Sequence, residues 1–304
     1  MSVPDQTQIC YCKLQSGHSI AYQVLKPRTK GSQTENTPLI LIHGLAGVGL
    51  IDWSPFPESL SHDHTVVVFD NRDIGWSRPP KGRENEPLTL DDMGNDTIEL
   101  INHLQFKSVD LLGFSMGGTI LQHILMKSDK LPFRIKHAIL AATFAVTPNM
   151  SDLGLFFPQE GGDDTKTAEQ RKYDFTKRLL EAQYDADWLP KNLEMLEHRV
   201  RLSSMARRPR AVIMRQAMAC QGIDLRDGLS AISPSIPILS LHGQRDQIVG
   251  FKEQAKILEA IPHAQKANVP DLKFGHMWYD YFGTEVWGKI LVDFLDVDGR
   301  GTKL

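Results

Sequence analysis

Short runs of consecutive apolar residues punctuate the chain: Leu39-Ile40-Leu41-Ile42, Val66-Val67-Val68-Phe69, Val109-Asp110-Leu111-Leu112, Ala138-Ile139-Leu140-Ala141 and Ile238-Leu239-Ser240-Leu241. Polar or turn residues bound each run. Unbroken rather than alternating apolarity marks strands buried on both faces of a parallel sheet. Between the runs lie longer stretches with helical spacing. In 88–104, Leu90, Met93, Ile98, Leu100, Ile101 and Leu104 fall near one helix face, with Thr89 or Asp91 placed to cap its start. Val286, Ile290, Leu291 and Phe294 mark a last helix behind Thr284, and a weak strand is expected near 267–269. The segment 11–25 reads as a hairpin turning near Ser16-Gly17. Strands alternating with helices predict an α/β fold: a mostly parallel, doubly wound sheet with right-handed crossovers.

The alternation stops between about 146 and 222. A loop rich in Pro, Gly and Asp (Pro148, Pro158, Gly161, Gly162, Asp163, Asp164) leads into helical patterns through Leu180, Leu196 and Met214. This stretch is too long for a plain connection and is expected to be an inserted helical cap acting as a lid. The expected organisation is a first core part at 1–145, the cap at 146–222 and a second core part at 223–304.

Composition narrows the class. The chain has 304 residues, 41% hydrophobic and 23% charged, ordinary for a folded globular protein, and no apolar run approaches the ~20 residues of a membrane span. Lys and Arg number 34 against 37 Asp and Glu, a formal charge of −3 without the basic footprint of a nucleic-acid binder. Cys10, Cys12 and Cys220 are too few for a disulfide scaffold, which suits a reducing, cytoplasmic setting. The first residues have no basic region followed by an apolar one, so no secretory signal is expected. The final Thr302-Lys303-Leu304 resembles the peroxisomal address Ser-Lys-Leu and reads first as a frayed tail.

The strongest chemical signal is Gly113-Phe114-Ser115-Met116-Gly117-Gly118, which follows one apolar run and precedes a helical stretch. Gly-x-Ser-x-Gly between strand and helix is the nucleophile-elbow pattern. A sharp turn holds the serine in strained backbone geometry, so small residues flank it. The helix N-terminus behind it presents free N–H groups and positive potential to a developing oxyanion.

Two further segments carry a resemblance. His43-Gly44-Leu45-Ala46-Gly47 follows the first buried strand, and Asp70-Asn71-Arg72-Asp73-Ile74-Gly75-Trp76-Ser77 follows the second. Together with the serine motif they resemble the α/β-hydrolase fold superfamily over nearly the whole chain. The Asn-Arg-Asp variant, with Asp73 where the family usually has Gly, is similar to aclacinomycin methylesterase-like enzymes. The resemblance implies backbone oxyanion donors at Leu45 and Met116, a structural His43 hydrogen-bonding its loop, and an architectural 70–77 loop. His242-Gly243-Gln244-Arg245-Asp246-Gln247-Ile248-Val249 resembles the family's acid loop and implies Asp246. Asp224 and Asp227 are rivals that precede the strand. Gly275-His276 resembles the family's base loop and implies His276, whereas His263 lies before its strand at the wrong sheet edge. His62-Asp63-His64 lacks a third metal ligand.

These residues imply a Ser115–His276–Asp246 serine hydrolase for an ester, lactone or thioester of a small to medium apolar acid, with no metal or organic cofactor expected. Phe114 beside the serine, and Phe156, Phe157, Trp188, Met214 and Met218 of the cap, are candidate pocket walls. Arg199, Arg201, Arg207, Arg208 and Arg210 read as a solvated helix face or, alternatively, an acyl-CoA anion site. The motif also resembles C–C bond hydrolases and cofactor-free haloperoxidases. An acyltransferase, or a ligand receptor with vestigial turnover, remains open because one scaffold hosts many reactions. A small-molecule substrate is the expected partner, and the oligomeric state is left open.

Overall fold

The computed structural model describes residues 8–27, 37–148 and 165–296. Phe156, Phe157 and the C-terminal Thr302-Lys303-Leu304 lie outside these described residues. The five expected apolar runs lie in strands β3 to β7 of one sheet, and the expected hairpin supplies β1 and β2: β1 (Cys10–Lys13), β2 (Ser19–Leu25), β3 (Leu39–Ile42), β4 (Val66–Phe69), β5 (Ser108–Phe114), β6 (Arg134–Ala141), β7 (Ile238–Leu241) and the short edge strand β8 (Gln265–Lys266). Their order is β1-β2-β4-β3-β5-β6-β7-β8, with β1 and β2 antiparallel and β3 to β8 parallel.

Alternate side chains along each central strand enter opposite layers. Ile40, Ile42, Val67, Leu111, Leu140 and Ile238 join the core beneath α3 (Leu90–His103), α4 (Met116–Leu125) and α9 (Lys252–Ala260). Leu39, Leu41, Val66, Val68, Leu112, Ile139 and Leu239 join Trp53, Phe56, Trp278 and the buried face of α10 (Thr284–Leu295). Each such fully buried aliphatic side chain contributes about 1.5–3 kcal/mol, so this two-sided burial fixes the strand register.

Local chemistry sets the ends of these elements. Thr89 caps α3 in a reciprocal box: its Oγ1 accepts the Asp92 N–H at 3.0 Å, and Asp92 Oδ2 accepts the Thr89 N–H at 3.2 Å. The cap expected at Thr284 is instead Gly283, because the chain enters α10 through two residues of positive φ, Phe282 and Gly283. The edge strand β8 lies two residues earlier than expected. Its pairing ends where the Ala267 N–H donates to the Ser240 carbonyl at 2.8 Å, three residues before Pro270, which has no N–H to give.

Short helices α1 (Gly49–Asp52) and α2 (Phe56–Leu60) follow β3, and between β6 and β7 the described chain is mainly helical: α5 (Ala168–Glu181), α6 (Leu193–Met205), α7 (Arg210–Ala219) and α8 (Arg226–Leu229). The chain leaves and rejoins the sheet at one place, where the Thr147 N–H donates to Ile223 O at 2.9 Å and the Leu225 N–H to Ala145 O at 3.0 Å. Arginines fasten these helices to the sheet. Arg208 Nη2 forks onto both Asp52 carboxylate oxygens at 2.6 and 2.8 Å. Arg207 donates to the Asp73 carbonyl at 2.9 Å, and Arg215 pairs with the Asp73 carboxylate at 3.1 Å. Arg199 is buried, and its Nη1 donates to the carbonyls of Asp52 and Ser54 at 2.7 and 2.9 Å. Arg199 and Arg208 therefore form neither a solvated face nor an anion site, because internal partners take their charges, whereas Arg201, Arg207 and Arg210 are exposed, as a solvated face requires. Asp73 has φ 69°, the left-handed region that explains glycine in the family pattern, and here its oxygens anchor two of these arginines. Among the described residues no helix is long and apolar enough to cross a membrane.

Candidate active site

The site lies where the parallel strands end. Ser115 follows β5 at φ 56° and ψ −127° and stands at the N-terminus of α4. Four hydrogen bonds hold its backbone there: its N–H donates to Ala141 O at 2.9 Å, while its carbonyl accepts the Gly118 and Thr119 N–H groups at 2.8 and 3.4 Å and the Thr143 hydroxyl at 2.7 Å. Close approach explains the small flanking residue: a Cβ on Gly117 would stand 2.1 Å from the Ile42 carbonyl oxygen.

Asp246 lies in the loop after β7. Its Oδ1 accepts the N–H groups of Ile248 and Val249, both at 2.9 Å, which fixes the plane of the carboxylate. Its Oδ2 is 2.8 Å from His276 Nδ1. His242 Nε2 donates to Val249 O at 2.7 Å and lies 3.4 Å from the same Oδ2. Burial alone would raise the Asp246 pKa, but the His276 imidazole, then His242, more than offset this and hold it well below the usual carboxylate range.

His276 sits in the loop before α10, and its backbone N–H is held by the Gln183 carbonyl at 3.0 Å, from the residues just after α5. Its Nε2 is 3.0 Å from Ser115 Oγ. An ionised carboxylate only accepts, so His276 Nδ1 carries the proton and Nε2 is free to accept the Ser115 hydroxyl proton. All three side chains are buried. The Phe114 ring packs on the His276 imidazole at 4.9 Å between centroids, so this neighbour of the serine buttresses the histidine.

The loop from His43 to Gly47 closes over Ser115: a Cβ on Gly44 would stand 2.8 Å from the Ser115 Cβ. Among the described residues no acceptor takes the N–H of Leu45 or Met116. His43 departs from its expected role. Neither ring nitrogen makes a hydrogen bond among the described residues, and the imidazole packs edge-on to Trp53 at 4.8 Å and Phe114 at 5.4 Å. Burial lowers its pKa to about 4, so it is neutral. The loop is held instead through its backbone, with Asn71 Nδ2 donating to the His43 carbonyl at 3.0 Å. The 70–77 segment is architectural: the Asp70 carboxylate accepts the N–H groups of Leu50 and Trp76 at 3.1 and 2.7 Å.

The expected pocket walls divide. Trp188 stacks on Tyr184 at 5.0 Å and meets Tyr281 at a tilt at 4.6 Å, packing the helical insertion against the His276 loop. Met214 and Met218 are 43% and 65% exposed. The buried face of α7 carries Val212 and Gln216, four residues apart, which turns 214 and 218 outward. Met218 borders an outer groove of about 370 Å³ with Pro87, Leu88, Leu90 and His123, away from Ser115. Sequence reasoning missed Thr143, His242 and Gln216; only His242, four residues before Asp246, carried a signal in the acid loop itself.

A family model described as alpha/beta hydrolase fold matches residues 37–280. Serine hydrolase BPHL of Mus musculus is 27% identical over 259 residues, covering 84% of this chain and 78% of that protein. Pimeloyl-[acyl-carrier protein] methyl ester esterase of Vibrio parahaemolyticus is 27% identical over 239 residues, covering 75% and 83%. The solved structure of the enol-lactonase from Burkholderia xenovorans LB400 has the same fold, with a TM-score of 0.73 at 20% identity over 94% of this chain and 99% of that one.

Proposed function

Because the chain belongs to the alpha/beta hydrolase fold family, we propose that it is a serine hydrolase cleaving a carboxylic ester, lactone or thioester of a small to medium substrate through an acyl-serine intermediate. The observation that carries this reading is the single line of contacts from Ser115 Oγ to His276 Nε2 at 3.0 Å and from His276 Nδ1 to Asp246 Oδ2 at 2.8 Å. The resemblance to a serine hydrolase, a methyl ester esterase and an enol-lactonase supports the ester and lactone class.

In this mechanism Ser115 Oγ attacks the substrate carbonyl carbon while its proton passes to His276 Nε2. Asp246 stabilises the resulting imidazolium and keeps the ring oriented. The Leu45 and Met116 N–H groups, unclaimed among the described residues, donate to the oxyanion, each worth about 2.7–4 kcal/mol of barrier. His276 returns the proton to the leaving alcohol, lactone oxygen or thiol. A water then attacks the acyl carbon, losing its proton to Nε2, and Ser115 leaves as the free hydroxyl. Proton transfer through His276 contributes roughly 10²–10⁴-fold.

In this reading residues 1–145 and 223–304 form the catalytic core, and 146–222 the lid that shapes the acyl site. The test is reaction with a fluorophosphonate and with p-nitrophenyl esters of graded chain length. A burst of one nitrophenol per chain and labelling at Ser115, both absent in Ser115→Ala, are expected. Turnover retained by Ser115→Ala refutes the assignment.

A further inference from the structure

Gln216 lies on the inner face of α7 and is fully buried. Its Oε1 accepts the Ala46 N–H at 2.8 Å. That contact settles which end of the amide is which, since the reversed carboxamide would oppose two N–H donors. The Nε2 group therefore faces away from Ala46, and it is buried without a hydrogen-bond partner among the described residues. Buried side-chain donors are nearly always met. Holding the loop requires only the acceptor half of the amide, so the donor half is unexplained by the fold.

Its position gives the donor a use. Ala46 follows Leu45, assigned above to the oxyanion. The loop doubles back there, with Ala46 at φ 60° and the Gly47 N–H donating to Gly44 O at 3.1 Å. Adding one backbone step, the 2.8 Å hydrogen bond and the width of an amide places Nε2 within roughly 9 Å of the Leu45 nitrogen. That is the span of a few bonds along an acyl chain whose carbonyl oxygen rests on Leu45.

We propose that Gln216 is a specificity-determining residue, whose NH₂ group donates to a second carbonyl oxygen on the acyl chain, so that the preferred substrates are esters or lactones of oxo acids. The inference rests on the serine-hydrolase reading and deepens it. A site that hydrogen-bonds a substrate oxygen discriminates strongly against the analogue lacking it, because the donor is then left unpaired.

The test compares kcat/KM for p-nitrophenyl 4-oxopentanoate and 5-oxohexanoate with the plain pentanoate and hexanoate. The wild type is expected to prefer at least one oxo ester over its plain counterpart by roughly tenfold or more. In Gln216→Glu, which keeps an acceptor for the Ala46 N–H, and in Gln216→Met, that ratio falls to about one. A wild type without the preference, or a ratio unchanged in both variants while activity falls equally on both ester classes, overturns the inference and leaves Gln216 as loop support. Turnover of plain esters with Ser115 labelling would then still uphold the hydrolase reading. Inertness to every ester and to the fluorophosphonate removes both.

Discussion

Arg199 and Asp280 meet in a buried ion pair that joins helix α6 to the turn at Trp278–Asp280, four residues beyond His276. Arg199 Nε donates to Asp280 Oδ2 at 2.9 Å, Nη2 donates to Oδ1, and the Tyr184 hydroxyl donates to Oδ2 at 2.6 Å. The side chains of the pair are only 3% and 2% exposed. The helical insertion is thus tied by charge to the loop that carries His276.

Removing one partner leaves a buried, uncompensated charge. Arg199→Met is expected to destabilise the protein by about 3–5 kcal/mol, read as a lower urea midpoint. The double variant with Asp280→Asn recovers part of that loss. A single substitution costing well under 1 kcal/mol would place the pair in solvent-like surroundings.

The backbone of Ser115, at φ 56° and ψ −127°, reverses an ordinary stability rule. Glycine normally destabilises relative to alanine, but at a conformation that disfavours a Cβ the order inverts. Ser115→Gly is expected to be about 1 kcal/mol more stable than Ser115→Ala in thermal unfolding, with both inactive. Equal stability would mean that the turn is unstrained.

Asp246→Asn keeps an oxygen for the Ile248 and Val249 N–H groups but sets an amide NH₂ against His276 Nδ1. The imidazole then carries its proton on Nε2, facing the Ser115 hydroxyl, where it can no longer accept. An ester kcat reduced by roughly 10³–10⁴-fold with near-normal stability is expected. A loss under tenfold would show that this carboxylate does not set the tautomer.

The buried, neutral His43 makes stability depend on pH. Its pKa is lowered to about 4 in the folded protein, against ~6.5 in an unfolded chain. Above pH ~6.5 both states are neutral and the fold carries no penalty. As pH falls from ~6.5 towards 4 the unfolded chain takes up a proton that the folded one refuses, so about 3 kcal/mol is lost across that window. The melting temperature of His43→Asn should fall less steeply over the same range. Parallel curves for variant and wild type would remove His43 as the cause.

Much of the architecture was legible because its signals are local. Leu39–Ile42 and Val66–Phe69 are apolar at every position because both faces of the sheet are covered, a pattern few other environments demand. Ser115, Asp246 and His276 were legible because each sits in a turn with its own short residue pattern, the latter two read through family resemblance. The arginines were not, since the charge on a helix face tells nothing of the carboxylate opposite: Arg208 finds Asp52 across 156 positions of sequence. Gln216 escaped for the same reason, as its partner Ala46 is 170 positions away. Met214 and Met218 were misplaced because the helical pattern of α7 is weakly amphipathic and does not announce its inner face.

The bond between Ser115 and His276 spans 161 positions. Ribosomes add residues at about 5–20 per second, so roughly 10–30 s separate the emergence of the serine from that of its histidine. Throughout that interval the Ser115 hydroxyl is without its imidazole neighbour. The contact can therefore form only after 161 further residues have been made, and a chain that stops short of residue 276 never forms it.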